Sequence, residues 1–204
     1  MRILFVCTGN VCRSPVAEHV LRARLRGWSR YMVESAGTQA KIGMAMAEES
    51  AALARHYGAA GVDPRRHRAR LLTGPLLEGC DLILTMTREH RRHAVGLAPR
   101  QLGRTYTVRE FAELLDSLDA ATWSLIAAEP TAPERWGGLI QAIASARYVN
   151  DPVSNEDIAD PLGKGDASYQ LFADQLLPAL SSIERVLGRV ESGVDSVGDR
   201  AMAP

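Results

Sequence analysis

The stretch RILFVCTGNVCRSPVAEHVL, residues 2–21, passes from an uninterrupted apolar run through a short loop holding two cysteines into a helical pattern. Residues 2–6 suit a central parallel strand, because a strand covered on both faces shows no polar alternation. Ser14 predicts an N-cap, Pro15 the first helical position, and Glu18 an acid in the first turn. Ala17, Val20, Leu21 and Leu25 then share one face, with Arg22, Arg24 and Arg26 turned outward. Strand, tight loop and helix in that order make half of a βαβ unit.

The unit repeats along the chain. YMVESAG (31–37), CDLILTM (80–86) and RTYTV (104–108) read as further strands, and helical patterns follow at Glu48–Tyr57, 87–97 and 109–115. This alternation predicts an α/β fold of three layers, a four-stranded parallel sheet (order 2-1-3-4) with helices on both faces. From Asp116 to Val149 the pattern loosens: EPTAPERW (129–136) reads as a turn or linker and Arg135–Tyr148 as a helix. A polar loop over 150–168 leads to a last helix from Ser168 to Val190, with Leu171, Leu176, Leu180, Ile183 and Leu187 on its apolar face. We expect one domain over 1–190, a helical insertion at about 115–150 and a disordered tail at 191–204.

The whole chain is 204 residues, 46% apolar and 24% charged, with 24 Lys plus Arg against 24 Asp plus Glu. Zero net charge gives no general argument for nucleic acid, and the Arg clusters at 65–70 and 88–92 read as solvated faces. No segment approaches the ~20 apolar residues of a membrane span, and residues 1–7 enter structure directly. Three cysteines are too few, and odd in number, for a disulfide scaffold. These features predict a cytoplasmic protein with reduced thiols and no nucleic-acid or membrane partner.

Chemistry concentrates in the loop after the first strand. A short strand-to-helix loop turns backbone N–H groups inward above a helix N-terminus, which makes an anion cradle. Gly9 permits close approach of the backbone, and Asn10 tolerates left-handed geometry. A cysteine placed at the mouth of such a cradle is favoured as thiolate, the nucleophilic form. Arg13 can grip two oxygens of a tetrahedral anion, and Ser14 can donate to sulfur. Taken singly, Cys7 also fits a small core residue. Zinc is excluded for want of ligands, an ATP loop for want of Lys-Ser/Thr, and a dinucleotide loop for want of glycines. Cys-(x)5-Arg-Ser at a strand-to-helix junction remains. It predicts a phosphate carried on Cys7, bound by Thr8, Gly9, Asn10, Val11, Cys12, Arg13 and Ser14, with no metal and no cofactor.

VCTGNVCRSP (6–15) resembles the phosphate-binding loop of the low-molecular-weight protein tyrosine phosphatases. The likeness extends to VESAGT (33–38), HRARLL (67–72), DLILTM (81–86), RTYTVREF (104–111) and DIADPLG (157–163), omitting about 115–150 and the tail. It implies a phosphatase that forms a cysteinyl phosphate from protein phosphotyrosine. The leaving oxygen needs a proton, and two Asp-Pro pairs could supply it, Asp151-Pro152 and Asp160-Pro161. The resemblance selects Asp160, because its loop runs Asp-Pro, one variable residue and Gly into the last helix. Leu162, and the absence of an aromatic in 38–44, depart from relatives that stack aromatics on the substrate ring.

Val11 stands where tyrosine-specific relatives have Ile and the arginine-phosphatase branch has Thr, which favours phosphotyrosine. Cys12 matches a position that in relatives can form a protective disulfide with the nucleophile; it also fits a small packed residue. The alternatives are a protein arginine phosphatase, a thioredoxin-coupled arsenate reductase and a silent phosphate-binding module. The reductase needs more cysteines than Cys80 offers. The 115–150 insertion is a candidate partner surface.

Overall fold

The computed structural model describes residues 1–58, 63–149 and 155–193. Strand β1 (Arg2–Cys7) lies at the centre of a parallel sheet, between β2 (Met32–Gly37) and β3 (Leu82–Thr85), and β4 (Thr105–Thr107) completes the order β2-β1-β3-β4. The unbroken apolar run of β1 follows from that place. Ile3, Phe5 and Cys7 face the larger core, which takes in helices α1 (Arg13–Arg24), α5 (Val108–Asp116) and α8 (Asp166–Ser192). Leu4 and Val6 face a smaller core closed by Leu72, by Leu77 of α3 (Gly74–Glu78), and by Ala94 of α4 (Arg88–Leu97). Alternate residues thus serve opposite layers, and both layers are apolar.

Several local expectations are corrected. Helix α1 begins at Arg13 with Cys12 in the capping position, so Pro15 is its third residue. Ser14 does not cap the helix; its hydroxyl lies 3.0 Å from Cys7 Sγ instead. Glu18 lies beyond the first turn, where it pairs with Arg22 and accepts from Ser35. β3 starts two residues after Cys80, at Leu82; Asp81 before it donates its N–H to the Arg2 carbonyl at 2.9 Å, while its side chain, not its carbonyl, accepts from the Arg2 N–H at 2.8 Å. The last helix starts at Asp166, two residues early.

The looser region holds two helices, α6 (Ala120–Ala128) and α7 (Ala132–Val149), where a single helix from Arg135 was expected. Within EPTAPERW only the first residues turn. Thr131 Oγ1 accepts from the Glu134 N–H at 3.4 Å while the Glu134 carboxylate accepts from the Thr131 N–H at 3.0 Å, a capping box that starts α7 early. Trp123, Ile126, Leu139 and Ile143 from this pair join the larger core. Asp151 and the segment 194–204 lie outside the described residues. No described helix is long and apolar enough to cross a membrane.

Candidate active site

Cys7 ends β1, buried, at the carboxyl edge of the sheet where open α/β folds bind ligands. The loop that follows is held by the end of β2. Thr38 and Gln39 donate their N–H groups to the carbonyls of Cys7 and Thr8, both at 2.9 Å. Gly37 permits this approach, since a Cβ there would lie 2.5 Å from the Thr8 carbonyl oxygen.

Asn10 supplies the bend. It alone among described non-glycine residues has positive φ, at 53°, a conformation that costs about 1–2 kcal/mol for most side chains. The fully buried Asn10 is fixed from every side. Its Nδ2 donates to Ser14 Oγ at 3.0 Å and Ser35 Oγ at 2.7 Å, and its Oδ1 accepts from the Arg70 N–H at 2.9 Å. His67 Nε2 lies 2.8 Å from its carbonyl oxygen. These bonds turn the Asn10 N–H onto Cys7 Sγ at 3.3 Å. Ser14 Oγ accepts from Asn10, and its own proton can go to the sulfur 3.0 Å away, the nearer acceptor, or to the Ala36 carbonyl at 3.4 Å. The sulfur therefore faces two donors.

Arg13 is buried beside this loop. Its Nη1 donates to the Ile158 carbonyl at 3.2 Å, and its Nη2 to Asp160 Oδ2 at 2.7 Å, with Thr8 Oγ1 at 3.5 Å. Asp160 is 41% exposed in its side chain, and its other oxygen accepts from the Leu162 N–H at 3.3 Å. The Asp160 loop is tied on three sides. Asp157 pairs with Arg88 at 3.2 Å, the Ile158 N–H donates to the Met86 carbonyl at 2.8 Å, and the Ala159 N–H donates to Gln175 Oε1 at 2.8 Å. Leu162 is about half exposed.

Cys12 is buried against Ser50 of α2 (Glu48–Tyr57) and Tyr169 of α8. Ser50 Oγ donates to its sulfur at 3.0 Å, Tyr169 OH lies 3.8 Å off, and burial pushes its thiol up to about 11. Val11 is half-buried, and its carbonyl accepts from the Ala47 N–H at 2.8 Å. Cys80 belongs to the smaller core, across the sheet from Cys7, where burial likewise raises it to about 11. Among the described residues no group of three or more His, Cys, Asp or Glu side chains could hold a metal ion.

Two histidines were not picked out from sequence as site residues. His67 was visible only inside HRARLL, with nothing to tie it to Asn10. His90 sits in the first turn of α4, its Nε2 2.9 Å from Thr8 Oγ1 and its Nδ1 2.8 Å from Thr87 Oγ1. Burial first, then Arg13, hold its pKa down to about 4. Nor are the Arg clusters only solvated faces. Arg70 Nε donates to the Ser35 carbonyl at 2.6 Å, and Arg91 pairs with Glu110 at 2.7 Å.

The chain is similar to known proteins in sequence and in fold. The family profile described as "Low molecular weight phosphotyrosine protein phosphatase" matches residues 2–122. The low molecular weight protein-tyrosine-phosphatase Etp of Escherichia coli K12 is 37% identical over 111 residues, covering 54% of this chain and 71% of Etp. A probable phosphatase of the same description, EpsP of Ralstonia solanacearum, is 41% identical over 110 residues, covering 53% of this chain and 70% of its own. Among solved structures, the low molecular weight protein tyrosine phosphatase of T. tengcongensis superposes with a TM-score of 0.64 at 26% identity, over 91% of this chain and 99% of that one. A YwlE arginine phosphatase with a phosphorylated active-site serine shares the fold, at a TM-score of 0.65 and 24% identity, over 94% and 100% of the two chains. A cysteine facing two donors at the end of β1, with a buried arginine beside it, lies within the matched segment, and the chain belongs to the low molecular weight protein-tyrosine-phosphatase family of hydrolases.

Proposed function

We propose that the enzyme hydrolyses aryl phosphate monoesters, foremost protein phosphotyrosine, through a phosphate carried on Cys7. The observation that carries this reading is the Arg13–Asp160 contact at 2.7 Å beside a sulfur held by Ser14 and Asn10. Cys7 Sγ attacks phosphorus, an S–P bond forms and the P–O bond to the aryl group breaks. The Asp160 carboxyl gives its proton to the departing oxygen. A water then attacks phosphorus, Asp160 takes back a proton, and the S–P bond breaks as Ser14 donates to the leaving sulfur. Arg13 and the loop N–H groups hold the equatorial oxygens throughout.

Ring recognition is aliphatic in this reading, since Leu162 is the exposed side chain next to the Asp160-Pro161 pair. Val11 offers no hydrogen bond to a guanidinium, which favours the aryl ester over phosphoarginine. An arsenate-reductase relay finds no support in the placement of Cys80 across the sheet.

The test combines two variants. Cys7→Ser should abolish turnover of phosphotyrosine peptide while retaining phosphate binding. Asp160→Ala should cost on the order of 10²- to 10⁴-fold on a phenyl-type phosphate and much less on an activated ester whose phenolate leaves unaided. A tenth of the wild-type rate in Cys7→Ser, a barrier change of only ~1.4 kcal/mol, would remove Cys7 from the mechanism. Equal hydrolysis of phosphoserine or phosphoarginine peptides would overturn the substrate class alone.

A further inference from the structure

The mechanism above leaves a buried imidazole unused. Helix α4 is capped by Thr87, whose Oγ1 accepts from the His90 N–H at 3.3 Å. The same oxygen lies 2.8 Å from His90 Nδ1. Having accepted from the backbone, the Thr87 hydroxyl can give its own proton to Nδ1. That arrangement puts the ring proton on Nε2, one of the two tautomers the hydrogen-bond network allows. His90 is almost fully buried and neutral at ordinary pH, so it carries one ring N–H and no more.

That N–H faces Thr8 Oγ1 at 2.9 Å. Arg13 Nη2 faces the same oxygen from 3.5 Å. With the ring proton on Nε2 both neighbours are donors, and the Thr8 hydroxyl proton is left to point elsewhere. Thr8 follows Cys7 directly, and its oxygen lies beside the Arg13 nitrogen that also holds Asp160. An acceptor brought to that nitrogen, such as a phosphoryl oxygen, meets the Thr8 proton too.

We infer that His90 is a positioning residue, which fixes the Thr8 hydroxyl as a donor to the phosphoryl oxygen gripped by Arg13 Nη2. This rests on the reading of Cys7, Arg13 and Asp160 given above. Thr87, His90 and Thr8 form a chain of hydrogen bonds with a single direction, each member giving the next its proton. A donor preset in this way gains strength as charge grows on the equatorial oxygens, so its effect falls on the rate more than on binding. The opposite tautomer, with Nδ1 donating to Thr87, would have Thr8 donate to Nε2 and leave nothing for substrate.

The experiment is a double-mutant cycle on phosphotyrosine peptide, read as kcat and KM separately. Thr8→Val, which keeps shape and removes the hydroxyl, should lower kcat about 10- to 100-fold with KM within roughly threefold, whereas Thr8→Ser stays within about threefold of wild type. His90→Phe should lower kcat about tenfold, and His90→Gln should recover most of that, because its amide can donate to Thr8. In the Thr8→Val background, His90→Phe should cost less than about twofold more, since it acts only through Thr8. An unchanged kcat in Thr8→Val overturns the proposal, as does a full tenfold His90 effect in that background. Should His90→Phe fail to fold, the smaller His90→Leu takes its place in both Thr8 backgrounds, with the same outcomes expected. Phosphate trapped on Cys7 in every variant keeps the covalent reading standing whichever way His90 falls.

Discussion

Two cysteines in one loop meet opposite surroundings. Cys7 Sγ faces the Asn10 N–H and the Ser14 hydroxyl, while Cys12 is packed against Ser50 and Tyr169, where burial holds its thiol at about 11. Cys12 is therefore a protonated and slow partner at neutral pH. Peroxide should convert Cys7 to a sulfenic acid, and the Cys12 thiol can condense with it, releasing water and forming a disulfide that a thiol reductant reopens. Cys12→Ser should then lose more of its activity irreversibly than wild type over the same peroxide exposure. Equal recovery after reduction would leave Cys12 a packing residue. At this scale the sequence was legible wherever chemistry depends on neighbours in the chain: Cys7, Arg13 and Ser14 are within eight residues, and Gly9 and Asn10 announce the bend. His90 was not, because nothing local marks it; its contact with Thr8 spans 82 residues and exists only once α4 packs beside β1.

The helices show the same division between local and tertiary causes. Helix α6 escaped notice because AATWSLIAA is apolar all round, with no polar face to set a period, and only Trp123 and Ile126 are buried. Its neighbour α7 is fastened at both ends. Near its start, Arg135 donates to the carbonyls of Val190 and Glu191 at 2.6 and 3.1 Å, satisfying the last turn of α8, and to that of Glu129, the C-cap of α6, at 2.8 Å. Near its end, Arg147 pairs with Glu110 at 2.7 Å and covers the Tyr106 ring at 4.5 Å. Arg135→Ala should destabilise the protein by about 2–4 kcal/mol, as three bonds from a buried charged donor are lost. It should also raise amide exchange in α7 and the end of α8, while kcat stays within about twofold. Unaltered exchange in α7 would show that apolar packing alone holds the pair.

Across the whole molecule, buried histidines are one source of acid sensitivity. Burial lowers both His90, to about 4, and His19 from their ordinary value near 6.5. Between about pH 6.5 and 4 the unfolded chain binds protons that the folded protein refuses. Stability therefore falls as pH drops through that window, by about 3 kcal/mol for His90 alone. Denaturant melts from pH 7 to 4.5 should show His90→Gln losing less stability than wild type, and parallel losses would place the sensitivity elsewhere. The parallel sheet with helices on both faces was legible in the strand–helix alternation, and the apolar run of residues 3–6 marked β1 as an inner strand. One consequence concerns the order of assembly. Arg13 and Asp160 are 147 residues apart, and Asp160 lies six residues before the helix whose Phe172, Leu176, Leu180 and Ile183 close the larger core. The segment that seals the core thus also brings Asp160 to Arg13. In refolding from denaturant, burial of α8 and the return of phenyl-phosphate turnover should rise with one rate constant, so that a chain with an unfinished core is also without activity.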